Sequence, residues 1–263
     1  MAPHAHQRLR HDIVFRELRV LRSERLTAHM QRITFGGPEL QGFHSPSPDD
    51  HVKLFFPNAH GEFVTPTLGP DGPHYPPGRE PSPARDYTPR YHDAGRNGLV
   101  IDFVLHGDGP AATWAAQAEP GQVLVAGGPR GSFVAADDFD RYVLVGDETA
   151  LPAIGRWLET MPAGRRVAVL AEIPEAADRQ PLSSRAELEL AWLERNGEAA
   201  ARSDRLERAL RDLPGIAGDT FYWIAAESGR ARGMRLWLDQ QGVPKDWIKS
   251  SGYWKADEDD GGH

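Results

Sequence analysis

The chain has no cysteine in its 263 residues. That absence excludes disulfides, thiolate nucleophiles, zinc–cysteine sites and cysteine-ligated iron–sulfur clusters, so any redox chemistry must use a group that needs no thiolate. No apolar run approaches the ~20 residues of a membrane-spanning helix. The opening MAPHAHQRLRHD has basic residues but no apolar h-region, which argues against a secretory signal and for a cytoplasmic protein without membrane insertion. Positive charge is also short: 30 Lys and Arg face 38 Asp and Glu, a net −8, the wrong sign for a nucleic-acid footprint. The 11 histidines never fall at HExxH spacing, so no protein-held metal is expected; His4, His6 and His11 sit in what looks like a loose N-terminal tail.

Glycine and proline, by contrast, are abundant, at 27 and 22 residues, and favour short strands joined by turns. Met30–Phe35, Val52–Phe56, Leu99–Leu105 and Val123–Val125 are branched or aromatic runs separated by turn residues, which predicts a small antiparallel barrel. The segment Pro57–Pro83 is expected to be a long loop. Near Phe139 the texture changes. Tyr142–Val145 is a continuous apolar strand, and Leu151, Ile154, Leu158 and Met161 then recur at near-helical spacing. Strands at Val167–Leu170, Leu188–Trp192 and Phe221–Ala225 follow. Between and after the last two come helices for which Ser203 and Ser228 are the expected caps. Strand and helix alternating is the pattern of an open α/β sheet. The resulting division is an all-β domain over 12–138, an α/β domain over 139–255 and a disordered tail over 256–263.

Two stretches of the first half carry chemistry. ARDYTPRY, 84–91, places Arg85 where its forked cation can hold phosphate, with Tyr87 and Thr88 as partners for a flavin's ribityl chain and ring. On a regular strand Arg85 and Tyr87 share a face and Thr88 takes the other, so the strand must bend for all three to meet one ligand, and Pro89 marks a place for it. HGDGPAATWA, 106–115, is a strand end, two glycines, a proline and small residues opening a helix. Gly109, Ala111, Ala112 and Thr113 can wrap a pyrophosphate there. In the second half, the turn after Tyr142–Val145 lacks the GxGxxG fingerprint. Asp147 and Glu148 would repel a pyrophosphate if they pointed inward, so Thr149 and backbone groups are expected to make that contact; an acidic helix start that stabilises the dipole explains the two acids equally well. Glu172 ends the second strand, where an acid binds adenosine ribose hydroxyls of NADH; Arg165, Arg166, Arg179 and Arg185 are nearby and can instead accept the 2′-phosphate of NADPH. Ala226, Glu227 and Ser228 end the fourth strand.

RDYTPR, IDFVLHGDGPAATWAAQAEPGQ, GGPRGSF, LVGDETALPAI and a terminal GYWK together resemble the siderophore-interacting protein family, FAD-dependent ferric-siderophore reductases of the ferredoxin-reductase-like superfamily. The resemblance runs from about Phe15 to Lys255. It implies a six-stranded antiparallel FAD-binding barrel followed by an NAD(P)H-binding open α/β sheet. It further implies Arg85, Tyr87 and Thr88 as the flavin motif, with His106, Gly109, Ala111, Ala112 and Thr113 along the pyrophosphate and ribose, and a nicotinamide at Ala226, Glu227 and Ser228. The implied activity takes electrons from NADH or NADPH through FAD to a ferric siderophore and releases Fe(II), in a protein expected to be a monomer. The alternatives are a general flavin reductase or diaphorase, and a flavin-bearing siderophore-binding protein reduced by another donor. An anionic chelate calls for basic residues beside the flavin: Lys53, inside an apolar strand, Arg130, Lys245, Lys249 and Lys255 are the candidates, and Tyr253 and Trp254 are placed to shield the ring or to pack against the α/β domain.

Overall fold

The structure is a computed structural model that describes residues 4–215 and 217–256. The chain divides into two compact units: one is Arg8–Arg25 with Gln31–Val134, and the other is built from Ala135 onward, joined by Leu26–Met30 and the N-terminal residues through Gln7.

The strands of the first half are β1 (Gln7–Arg10), β2 (Phe15–Thr27), β3 (Met30–Gly36), β4 (Val52–Phe55), β5 (Thr67–Gly69), β6 (Gly72–His74), β7 (Ala84–Tyr87), β8 (Pro89–Asp93), β9 (Gly98–Val104), β10 (Val123–Gly127) and β11 (Gly131–Val134), with helix α1 (Pro110–Ala116) between β9 and β10. Seven of them form one sheet in the order β7-β4-β10-β2-β3-β9-β8. Its two outermost members are consecutive in the chain and separated only by Thr88, so the sheet curls until its ends meet. Alternation builds the interior: Leu18, Val20, Ile33, Phe35, Val52, Leu54, Leu99, Ile101 and Phe103 point to one cluster, which Trp114 of α1 and Tyr87 flank. Strand β2 was invisible to the apolar-run criterion because FRELRVLRSERLT is dense in charge; its inward residues, Leu18 and Val20, suffice to seat it. The expected loop 57–83 carries the small β5–β6 hairpin.

The second half contributes β12 (Arg141–Gly146), β13 (Arg166–Ile173), β14 (Glu187–Glu194), β15 (Thr220–Glu227) and β16 (Ile248–Trp254), with helices α2 (Leu151–Thr160), α3 (Arg205–Asp212) and α4 (Ser228–Gln240). The sheet order is β14-β13-β12-β15-β16, and every neighbouring pair is parallel. Strand β12 is buried on both faces. Val143 and Val145 pack with Leu206, Leu210, Met234 and Leu238 of α3 and α4, while Tyr142 lies 6.4 Å from Trp157 of α2, centroid to centroid. Strand β16, with serines and glycine in its middle, had no apolar pattern to announce it; its hydrogen bonds to β15 decide it.

Three local expectations are corrected. The N-terminal histidines are not loose: His4 lies 3.6 Å from the Phe139 ring in a stack and its two ring nitrogens bond Asp138 and Asp219, and β1 pairs with β11. Ser203 stands one residue before the cap position of α3, which Asp204 takes; its hydroxyl donates to Glu172 and accepts the Arg205 N–H at 3.4 Å. Helix α4 is capped by Glu227, whose carboxylate accepts from the N–H groups of Gly229 and Arg230, with Ser228 already inside the helix. The expected tail, 256–263, lies outside the described residues except for Ala256.

Candidate functional site

In the all-β unit the chain from β7 to β8 is interrupted at Thr88, the position where a bend was required. Register fixes the faces of β7. Tyr87 stands opposite Val52 and Arg85 opposite Leu54, both core residues, whereas Asp86 stands opposite Lys53. Tyr87 lies against Phe103 of β9 at 4.5 Å between centroids, and β9 runs directly into HGDGP. The two stretches singled out in the sequence are therefore brought together by strand packing. Arg85 is exposed and, among the described residues, donates only to the neighbouring Ala84 carbonyl, so its guanidinium is available to a ligand. Thr88 is buried.

His106, Gly107 and Gly109 are all exposed. Gly107 has φ +56, and a Cβ built on either glycine meets nothing within 4 Å, so open space lies in front of this backbone. Within α1, Thr113 donates its N–H to the Gly109 carbonyl, and its side chain points to solvent; Ala111 and Ala112 turn their methyls inward and leave their backbone N–H groups above the first helical turn. A forked cation, a phenol ring on an aromatic floor and a glycine loop with clear space are a donor set that fits a flavin dinucleotide. Lys53 is exposed on the opposite strand face, paired to Asp86 Oδ1 at 2.7 Å. Arg130 is exposed and follows the cis Gly128–Pro129 bond.

In the α/β unit, parallel order puts the carboxyl ends of β12, β13, β15 and β16 along one edge, and the order reverses between β12 and β15. Ligands of open α/β sheets bind at that edge, at that switch point. Thr149, Glu172, Glu227, Tyr253 and Trp254 all fall there, and each makes contacts within the unit. Asp147 is fully buried. It accepts the N–H and the hydroxyl of Thr149 at 3.0 and 2.5 Å and the indole N–H of Trp254 at 2.8 Å. Both donors of Thr149 are thus directed to the buried acid beside it, which needs partners. Burial, reinforced by the charge of Glu148, pushes the Asp147 carboxyl up to about 6.

Glu172, expected at the ribose, is enclosed as well. It has no exposed surface, and it bonds Arg230 through both oxygens, Arg195 through one and the Ser203 hydroxyl. Arg195 also clasps Glu148, and Arg230 also clasps Glu207. This buried lattice ties the ends of β12 and β13 to α3 and α4. Burial alone would lower the Arg230 pKa; the carboxylates of Glu207 and Glu172 outweigh it and hold the guanidinium charged. No sequence signal pointed to Arg195 or Arg230, since their partners lie 23 to 58 residues away.

Glu227 serves as the α4 cap. Tyr253 packs edge-on to Trp223 at 6.2 Å and Trp254 is anchored to Asp147, so of the two readings offered for this pair the packing one describes their contacts within this unit. Lys249, near the amino end of β16, bonds Ser251, whereas Lys255 follows the carboxyl end. Five residues lie between them, so their backbones stand about 20 Å apart along the strand.

Residues 19–133 match the siderophore-interacting FAD-binding domain model and residues 139–257 the siderophore-interacting protein model. An NADPH-dependent ferric-chelate reductase of Escherichia coli K12 is 37% identical over 97% of this chain and 98% of its own length. The ferric vibriobactin reductase ViuB of Vibrio cholerae is 32% identical over 91% of this chain and 89% of its own length. Among solved structures, a siderophore utilization protein from T. fusca superposes with a TM-score of 0.89 at 37% identity, covering 96% of this chain and 97% of that one. With both halves matched and full-length relatives at this identity, the chain belongs to the siderophore-interacting protein family.

Proposed function

We propose that the protein is a flavin-dependent ferric-siderophore reductase that takes electrons from NAD(P)H through FAD to a ferric chelate and releases Fe(II). The observation that carries this reading is the 37% identity, end to end, with a ferric-chelate reductase whose donor is NADPH. The geometry supports it from two sides: a donor set suited to a flavin dinucleotide on the antiparallel sheet, and a nucleotide-type switch point on the parallel one. A bound flavin would accept the two electrons of one hydride and pass them on singly, which joins a two-electron donor to a one-electron metal. The absence of cysteine suits direct transfer to the chelate.

In this reading Arg85 neutralises the pyrophosphate, His106 and the Gly109–Thr113 backbone line it, and Tyr87 and Thr88 set the ring. Lys53, Arg130 and Lys255 attract the anionic chelate. The family matches support a division into a flavin domain over 12–138 and a nucleotide domain over 139–255, and the curled sheet, with β7 and β8 taken as one bent strand, suits a six-stranded barrel. Among the described residues no helix is long and apolar enough to cross a membrane; a cytoplasmic monomer is the reading adopted.

The test is an anaerobic titration of the FAD-loaded protein with NADPH and NADH, followed by a ferric hydroxamate or catecholate. Bleaching of the flavin absorbance, then its return with stoichiometric Fe(II) in a chromogenic chelator, is expected. A flavin that neither nucleotide bleaches leaves a siderophore-binding flavoprotein fed by another donor. Turnover that is indifferent to the chelate leaves a diaphorase.

A further inference from the structure

Four arginines near the second strand were candidates for a 2′-phosphate, and the parallel sheet separates them. Arg165 and Arg166 lie at the amino end of β13, and Arg185 precedes the amino end of β14. An eight-residue strand is about 25 Å long, so these three stand at the edge opposite the switch point. Arg179 alone follows the carboxyl end of β13, past the 3-10 turn Ala176–Asp178. In open α/β sheets the adenosine ribose lies at that strand end, where an acid selects the free diol and a nearby arginine accommodates a 2′-phosphate.

The acid of that rule is present but withdrawn. Glu172 is enclosed by Arg195, Arg230 and Ser203 and offers no oxygen to a diol, and its own charge faces two guanidiniums. Arg179 is half exposed, and its Nε and Nη2 both donate to one oxygen of Glu194, at 3.0 and 2.5 Å. Glu194 ends β14, so the pair holds the guanidinium over the carboxyl edge of the sheet. A dianionic phosphate offers a guanidinium two bonds in its fork geometry and more charge than a carboxylate, and so displaces Glu194.

We propose that Arg179 is the specificity-determining residue for the 2′-phosphate of the nucleotide donor, with Glu194 as its placeholder, and that the burial of Glu172 removes the competing preference for NADH. This rests on the reading that a nicotinamide nucleotide is the donor, and the experiment separates the two claims. Binding of 2′,5′-ADP and of 5′-AMP to the FAD-loaded protein is measured by calorimetry for wild type, Arg179→Ala, Arg179→Lys, Glu194→Gln and, as a comparator from the start of α3, Arg205→Ala. Oxidation of NADPH and NADH is measured in parallel. Arg179→Ala should weaken 2′,5′-ADP tenfold or more and leave 5′-AMP within twofold; Arg179→Lys should fall between; Glu194→Gln should tighten 2′,5′-ADP a few-fold. KM for NADPH should follow, with kcat and KM for NADH unchanged. Equal loss for both nucleotides, no loss, or a larger selective loss in Arg205→Ala would overturn the assignment to Arg179, as would a wild type that binds 2′,5′-ADP no better than 5′-AMP. Should Arg179→Ala fail to fold, Arg179→Lys and Glu194→Gln carry the same test. A wild type that oxidises neither nucleotide sinks the donor reading, whatever the binding of 2′,5′-ADP shows for Arg179.

Discussion

Among the described residues Arg85 bonds only the carbonyl beside it, so the fold does not depend on it. Arg85→Ala should therefore keep the melting temperature of the apoprotein within about 2 °C, as an exposed substitution outside any network does. It should also lose most of its FAD on desalting. A variant that stays fully yellow would show that the pyrophosphate is held elsewhere. Asp147 is the opposite kind of residue, buried, bonded and titrating in an accessible range. Its folded pKa, about 6, lies above the unfolded value of 3.8, so the native state holds the proton more tightly between those limits. Stability contributed at this site is full below about pH 4 and falls as pH rises to about 6, by up to about 3 kcal/mol. Urea denaturation across pH 4–7 should show wild type losing stability relative to Asp147→Asn as pH rises. A difference that is flat, or that grows with pH, contradicts the shift.

At the scale of elements, the turn out of β12 is a tight junction of the α/β unit. A Cβ on Gly146 would overlap the Ala150 Cβ and stand 2.9 Å from the Ala225 carbonyl. The second contact is backbone of the neighbouring strand and cannot give way. Gly146→Ala should thus cost about 1–3 kcal/mol, the usual penalty of overpacking, and should weaken nucleotide binding more than FAD retention, since the strain falls at the carboxyl edge of the parallel sheet. A melting temperature unchanged from wild type would mean that both the Glu148–Ala150 turn and the Ala225 backbone give way. Elements with a continuous apolar run, such as β12 and β13, were legible because both of their faces are buried. Those whose inward set is sparse, β2 and β16, were not; hydrogen-bonding neighbours set the place of each. The same limit explains the helix caps: the sequence offers Ser203 and Ser228 as cap types, but Glu172 competes for one and Glu227 precedes the other.

At the scale of the whole molecule, a net charge of −8 should repel an anionic ferric chelate, while Lys53, Arg130 and Lys255 should attract it locally. Salt decides which field the chelate meets, because screening acts within about 8–10 Å at 0.1–0.15 M. If the basic residues steer the substrate, the KM for a multiply charged chelate rises two- to fivefold between 20 and 300 mM salt, and that of a neutral chelate does not. A KM that falls with salt would show that net repulsion dominates. The sequence by itself determined the two-part architecture, the flavin stretches and the exclusion of thiolate chemistry, because these follow from composition and from contiguous motifs. Only the tertiary structure decided which acids are available. In a row of residues Glu172 looks like a ligand and Asp147 and Glu148 like a source of repulsion, yet Arg195 just past β14, Arg230 of α4 and Trp254 of β16 satisfy them in the interior. It also decided which arginine stands at the working edge of the sheet, since strand direction, not position along the chain, places Arg179 at one end and Arg165, Arg166 and Arg185 at the other.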